Sequence, residues 1–211
     1  MHDDAPVCDA QVHVWAPNSP ERPWADPVHG ADHRFPSLSA EQLIAHMDDA
    51  GVAQAALVPP AFEGDRPDLA LDAARRWPQR FVAVLRVPLR DEAAGRALVR
   101  SWRSTPGLGA VRVTFTREKR TWLLDGTADW FWREAETADV PVMAYAPGAT
   151  RDLARVAAAH DRLRIAIDHF GLEGRLDAAG LDEAARELER AASLPNLGVK
   201  ASALPLHVDE S

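Results

Sequence analysis

The chain has 211 residues, 46% of them hydrophobic, and a formal net charge of −8 at pH 7. That size and apolar content suffice for the core of one domain, and the acidic balance, with Lys and Arg scattered, leaves no footprint for nucleic acid or an anionic membrane surface, so a small-molecule substrate is the expected partner. Cys8 is the only cysteine, no apolar run reaches membrane-spanning length, and the start Met1-His2-Asp3-Asp4 lacks the pattern of a secretion signal, which points to the cytoplasm.

The first predicted strand, Val7 to Trp15, places Asp9, Gln11 and His13 at period two, which would put an acid, an amide and an imidazole on one strand face. A satisfied core histidine beside an amide would leave the same pattern. A loop with five prolines, 16–38, follows and ends at Ser39-Ala40-Glu41-Gln42, the opening of a helix with a capping-box glutamine. That helix runs to Asp49, Gly51 stops it, and Val52 to Val58 reads as a buried strand closed by Pro59-Pro60. The same phrase recurs: helix 67–77 and strand 81–87, helix 91–103 and strand 109–115, helix 127–138 and strand 140–145, helix 150–160 and strand 163–169, helix 181–192 and strand 197–202.

Seven short apolar strands alternating with six helices call for a parallel sheet with right-handed crossovers. A doubly wound sheet would satisfy the count, but no Gly-rich phosphate turn follows the first strand and polar residues end several strands, which favours a TIM-type (β/α)8 barrel in one domain. The barrel is expected to be incomplete, because the residues after Ser202 are too few for another helix and an eighth strand.

In such a barrel the ends of the strands deliver Gln11 and His13, Arg86, Arg112, Tyr145, Asp168 and His169, and Lys200 and Ser202 to one face. His169 has Ile165 and Ile167 as its period-two partners, so the imidazole is expected to face the lumen and Asp168 the helix layer, as a cap or an orienting acceptor. Arg112 alternates with Val111 and Val113 and is expected in the lumen, either binding a substrate carboxylate bidentately or in a buried ion pair with Asp9. Arg86 and Lys200 fit substrate contacts and structural ion pairs equally, and Tyr145 fits site and core equally. Trp15 and Trp24 could wall an apolar pocket.

Taken in order, Asp-Ala-Gln-Val-His-Val-Trp, Leu-Val-Pro-Pro-Ala-Phe, Arg-Trp-Pro-Gln-Arg-Phe, Gly-Ala-Val-Arg-Val, Ile-Asp-His-Phe-Gly and Leu-Pro-Asn-Leu-Gly-Val-Lys-Ala-Ser resemble the amidohydrolase-related family, in the branch that includes pyrone-dicarboxylate and sugar-acid lactonases. The resemblance implies a hydrolase of a lactone or similar cyclic ester of a carboxylated small molecule. His13 and His169, with Gln11, would be catalytic, and Arg112, Arg86, Tyr145 and Lys200 would bind substrate. The family's first strand usually carries Asp-x-His-x-His, and here Gln11 replaces the first histidine; a further histidine is common after strand five, where this chain has Tyr145. Those departures imply no cofactor, with one divalent metal such as zinc as the alternative. The family's water-activating aspartate ends strand eight, so a truncated member is expected, open at the edges of strands one and seven and prone to form homo-oligomers. A metal-dependent decarboxylase of the same family, or an inactive fragment that only binds ligand or a partner, are the alternatives.

Overall fold

The computed structural model describes residues 6–31, 33–64, 66–203 and 207. Seven strands, β1 (Val7–Val12), β2 (Val52–Leu57), β3 (Phe81–Arg86), β4 (Leu108–Thr114), β5 (Val142–Tyr145), β6 (Ile165–Ile167) and β7 (Leu197–Val199), lie in the sheet in sequence order. Between them come α1 (Pro27–Ala31), α2 (Ala40–Asp49), α3 (Asp68–Arg76), α4 (Glu92–Ser101), α5 (Asp129–Ala138), α6 (Thr150–Ala159) and α7 (Ala178–Ala191). Parallel neighbours cannot be joined by a tight turn, so each step needs a crossover of helical length. The result is an incomplete TIM-type barrel, with no eighth strand among the described residues. Two compact units divide it: residues 1–85 with 103–109, and residues 86–102 with 110–211.

In the first unit β1, β2 and β3 pair in parallel, and Ala83 N donates to Gly107 O at 2.8 Å. The predicted capping box at α2 is present: the Ser39 side chain accepts from Gln42 N, and the Gln42 side chain accepts from Ser39 N. Leu43 and Met47 of α2 are buried, as are Ala55 and Leu57 of β2. The short helix α1, inside the proline-rich loop, has no counterpart in the apolar pattern.

β1 departs from the regular period-two strand expected of it. Its first four residues are exposed, and its register slips between Asp9 and Val12, where three steps along β1 match two along β2. Such a bulge breaks the period-two alternation, so Asp9, Gln11 and His13 do not share one face in regular succession. Asp9 is exposed and its carboxylate accepts from Gln11 N at 2.9 Å.

In the second unit β4, β5, β6 and β7 pair in parallel, with Arg112 opposite Met143, Met143 opposite Ala166 and Ala166 opposite Gly198. One face of these strands, carrying Val111, Val113, Val142, Ala144, Ile165 and Ile167, is packed into a core with Phe131 and Ala135 of α5 and Leu153 and Ala157 of α6. The alternate residues, Arg112 and Thr114, Met143 and Tyr145, Ala166, then Asp168 and Lys200 beyond the strand ends, belong to the other face. The expected facing of strand six is therefore corrected. Ile165 and Ile167 are helix-side residues, so Asp168 continues the polar face, and β6 ends at Ile167 before His169 is reached.

Candidate functional site

The polar face of the second unit converges on one carboxylate. Asp168, 1% exposed, accepts a hydrogen bond from Arg112 Nε at 2.7 Å on Oδ2. Lys200 Nζ lies 2.9 Å from Oδ1 as an ion pair off the hydrogen-bonding angle, so that oxygen is balanced by charge rather than by a directed bond. Arg112 and Lys200 are themselves buried. Burial pushes the Asp168 carboxyl up, but the two cations outweigh it and hold it below the usual aspartate value. Burial pulls the Arg112 guanidinium down, helped by the charge of Arg86, while Asp168 works against the shift. The Arg112 guanidinium also sits over the Tyr145 ring, 5.1 Å from its centroid, and Lys200 Nζ approaches Met143 Sδ at 3.4 Å.

His169 follows on a left-handed turn. It and Phe170 have φ of 52° and 55°, and Gly171 continues at 68°. Only glycine adopts this region without cost, and at Gly171 a Cβ would meet Thr150 Oγ1 at 2.4 Å. The turn sets the imidazole edge-on to the Tyr145 ring at 5.7 Å, with Nδ1 2.9 Å from Ser202 Oγ. Burial lowers the His169 pKa below its ordinary 6.5, Arg112 and Lys200 lower it further, and Asp168 opposes them.

The structure brings Arg112, Tyr145, His169 and Lys200 together, with Arg86 close enough for its charge to act on Arg112. The ion pair considered for Arg112 with Asp9 is corrected: its ion-pair partner is Asp168. Asp168 is the group that sequence reasoning placed on the wrong face. The signal was available in the small residues Ala166 and Gly198, which mark the polar face of β6 and β7 in register.

Gln11 and His13 belong to the first unit. His13 is half-buried just beyond β1, and its Nδ1 lies 2.7 Å from Val58 O. A carbonyl can only accept, so Nδ1 carries the proton and Nε2 is the basic nitrogen of the neutral ring. Gln11 is half-buried in the bulge.

A model of the amidohydrolase family matches residues 8–209, and the chain belongs to that family. No curated protein matches it. Among solved structures it is similar to a probable 2-pyrone-4,6-dicarboxylic acid hydrolase from Acinetobacter baumannii with citric acid bound: TM-score 0.65, 18% identity, 98% of this chain and 73% of that one. An amidohydrolase from Burkholderia multivorans with bound zinc matches at TM-score 0.70 and 21% identity over 95% of this chain and 70% of its own. The 5-carboxyvanillate decarboxylase from Sphingomonas paucimobilis matches at TM-score 0.59 and 13% identity, over 94% and 81%.

The zinc in the Burkholderia relative overturns the expectation that no cofactor is involved, which rested on Gln11 and Tyr145 standing where histidines are common. The donor set of this chain does not match such an ion: among the described residues no three or more His, Cys, Asp or Glu side chains are grouped to hold one.

Proposed function

We propose that the chain hydrolyses a lactone or similar cyclic ester of a carboxylated small molecule. The observation that carries this is the cluster of cations on the polar face of the second unit: Arg112 and Lys200 flank the carboxylate of Asp168, and the charge of Arg86 acts on Arg112. Positive charge gathered in a partly desolvated place favours carboxylates. Arg112 and Arg86 bind the substrate carboxylate, Lys200 adds its charge, and Tyr145 lies against the Arg112 guanidinium and the His169 ring. His169, its Nδ1 held by Ser202 and its pKa lowered, is mostly neutral at pH 7 and polarises the ring carbonyl through Nε2. Water adds to that carbonyl, the ring C–O bond breaks, and a hydroxyl and a carboxylate form with release of one proton. The Acinetobacter relative, named for a dicarboxylated pyrone and holding citric acid, supports a carboxylated substrate. The proposal includes a cytoplasmic location and self-association, the latter resting on the exposed β1, where Val7 is 57% exposed.

A decarboxylase is the second reading, favoured by the Sphingomonas relative and served by the same cations. The test is an assay of carboxylated and neutral lactones, with zinc supplied and with zinc chelated, following ring opening and released CO2 separately. Ring opening confined to carboxylated lactones is expected. Losing one charge-assisted hydrogen bond costs about 1.5–3 kcal/mol, so Arg86→Gln should raise KM by roughly ten- to 150-fold. CO2 release without ring opening, or equal turnover of neutral lactones, would overturn the proposal.

A further inference from the structure

The guanidinium of Arg120 has no part in the chemistry above, yet within the second unit it joins the loops that follow three successive strands. Arg120 lies in the short 3-10 turn Arg117–Leu123 after β4. Its Nη2 donates to Gly148 O, in the loop between β5 and α6, and its Nη1 donates to Glu173 Oε2 at 3.3 Å, in the loop between β6 and α7. Both side chains of this ion pair are 35% exposed. A pair so open to water adds little to stability, so its consequence is geometric: it fixes where Gly148 lies.

Gly148 links the guanidinium to the turn that carries His169. Its carbonyl receives Arg120, and its N–H donates to Gly171 O at 2.8 Å. Its φ is 66°, and a Cβ built there would lie 2.5 Å from Glu173 Oε2 and 3.3 and 3.4 Å from the two Arg120 Nη atoms, so the ion pair is laid over the bare Cα. The other end of the turn is held from the segment after β7, where Lys200 O accepts from Phe170 N at 3.2 Å and Ser202 Oγ lies 2.9 Å from His169 Nδ1. Side chains at φ of 52° and 55° persist only where the surroundings over-determine them. With the Gly148 anchorage gone, the turn would be free to pivot on the one at Lys200 and Ser202, and the imidazole would move with it.

We propose that Arg120 is a positioning residue for His169, acting through Gly148 and Glu173 to hold the left-handed turn at the end of β6. The proposal rests on the lactonase reading for the task of the imidazole, the polarisation of the ring carbonyl, but not for the placement of the ring.

The experiment follows the His169 imidazole by NMR titration. The ring is half-buried and feels the charges of Asp168, Arg112, Lys200 and His207, with the Tyr145 ring edge-on to it. Burial is the largest influence and keeps its midpoint below 6.5, so a ring released toward water titrates closer to that value. Arg120→Met and Glu173→Ala should both raise the midpoint. A field effect alone would act in opposite senses, since loss of the cation raises the pKa of an imidazole and loss of the anion lowers it. Gly148→Ala changes no charge and should also raise it. A lowered or unchanged midpoint in Glu173→Ala, or an unchanged one in Gly148→Ala, would overturn the proposal. Arg120→Met and Glu173→Ala should melt within about 4 °C of the wild type; a larger loss with the midpoint unmoved would mark a merely structural ion pair and overturn it as well. With a lactone that is turned over, the same two variants should lower kcat by about ten- to a hundredfold and change KM by less than about threefold, because the cations for the carboxylate are untouched. Raised midpoints in a protein that opens no lactone would leave the role of Arg120 standing and remove the lactonase reading; lactone turnover with unmoved midpoints would do the reverse.

Discussion

Replacing Asp168 by asparagine keeps the shape of the side chain and removes the charge between two buried cations. Arg112 and Lys200 are 6% and 5% exposed and lie 2.7 and 2.9 Å from the carboxylate, so neither can recover its hydration when that charge is lost. Breaking a buried ion pair from one side costs about 3–5 kcal/mol. For a chain of this length each kcal/mol shifts Tm by about 2–4 °C, so Asp168→Asn should melt about 10 °C below the wild type at pH 7. The pH dependence is set by the direction of the aspartate shift. A carboxyl held below its unfolded value near 3.9 stabilises the fold above that pH and loses the contribution as pH falls through the folded value. The difference between the two proteins should therefore narrow on acidification. Thermal melts by circular dichroism from pH 7 downward measure both quantities, and adding Lys200→Met to Asp168→Asn should restore part of the loss by removing one stranded cation. A Tm within about 2 °C of wild type at pH 7, or a gap that does not close in acid, would refute the view of Asp168 as the charge that binds this cluster together.

His169 should titrate by NMR below its ordinary 6.5, and further below in Asp168→Asn, because the one anion that raises its pKa is gone. In the window just under 6.5 the unfolded chain binds the proton first, so this residue makes stability rise with pH; a midpoint above 6.5 would contradict the burial described for it. Ser39→Ala removes the side-chain half of the α2 capping box and should cost about 1 kcal/mol, read as a lower urea midpoint at unchanged m-value.

The order and kind of the elements were legible because each helix and strand carries its own punctuation: Ser39 and Gln42 open α2, Gly51 closes it, and Val111 and Val113 isolate Arg112 on the opposite face of β4. What failed was the assignment of faces where two opposite reasons look alike. Bulky branched residues fill barrel interiors and also seat helices on sheets, so Ile165 and Ile167 gave no direction, whereas the packing against Leu153 and Ala157 does. The bulge in β1 is an extra residue in one strand relative to its neighbour, which no single strand's pattern can record. Arg120 and Glu173 are 53 residues apart, and nothing local to either announces the other. Asp168 was visible as a residue and missed as a centre, since its role follows from the register that joins Met143, Ala166 and Gly198.

The three left-handed residues at His169, Phe170 and Gly171 have a bearing on how this protein can change. Two of them carry side chains in a conformation costing about 1–3 kcal/mol each, a debt that the surrounding contacts must cover. Glycine at position 169 or 170 would relieve part of it, so the chain can gain heat resistance most readily by surrendering an imidazole or an aromatic ring. Selection for stability alone and selection for chemistry therefore pull in opposite directions at the same peptide units. A library screened only for heat resistance should lose His169 before it loses any residue of the helix-side core, which would make the loss itself a record of which pressure the lineage had been under.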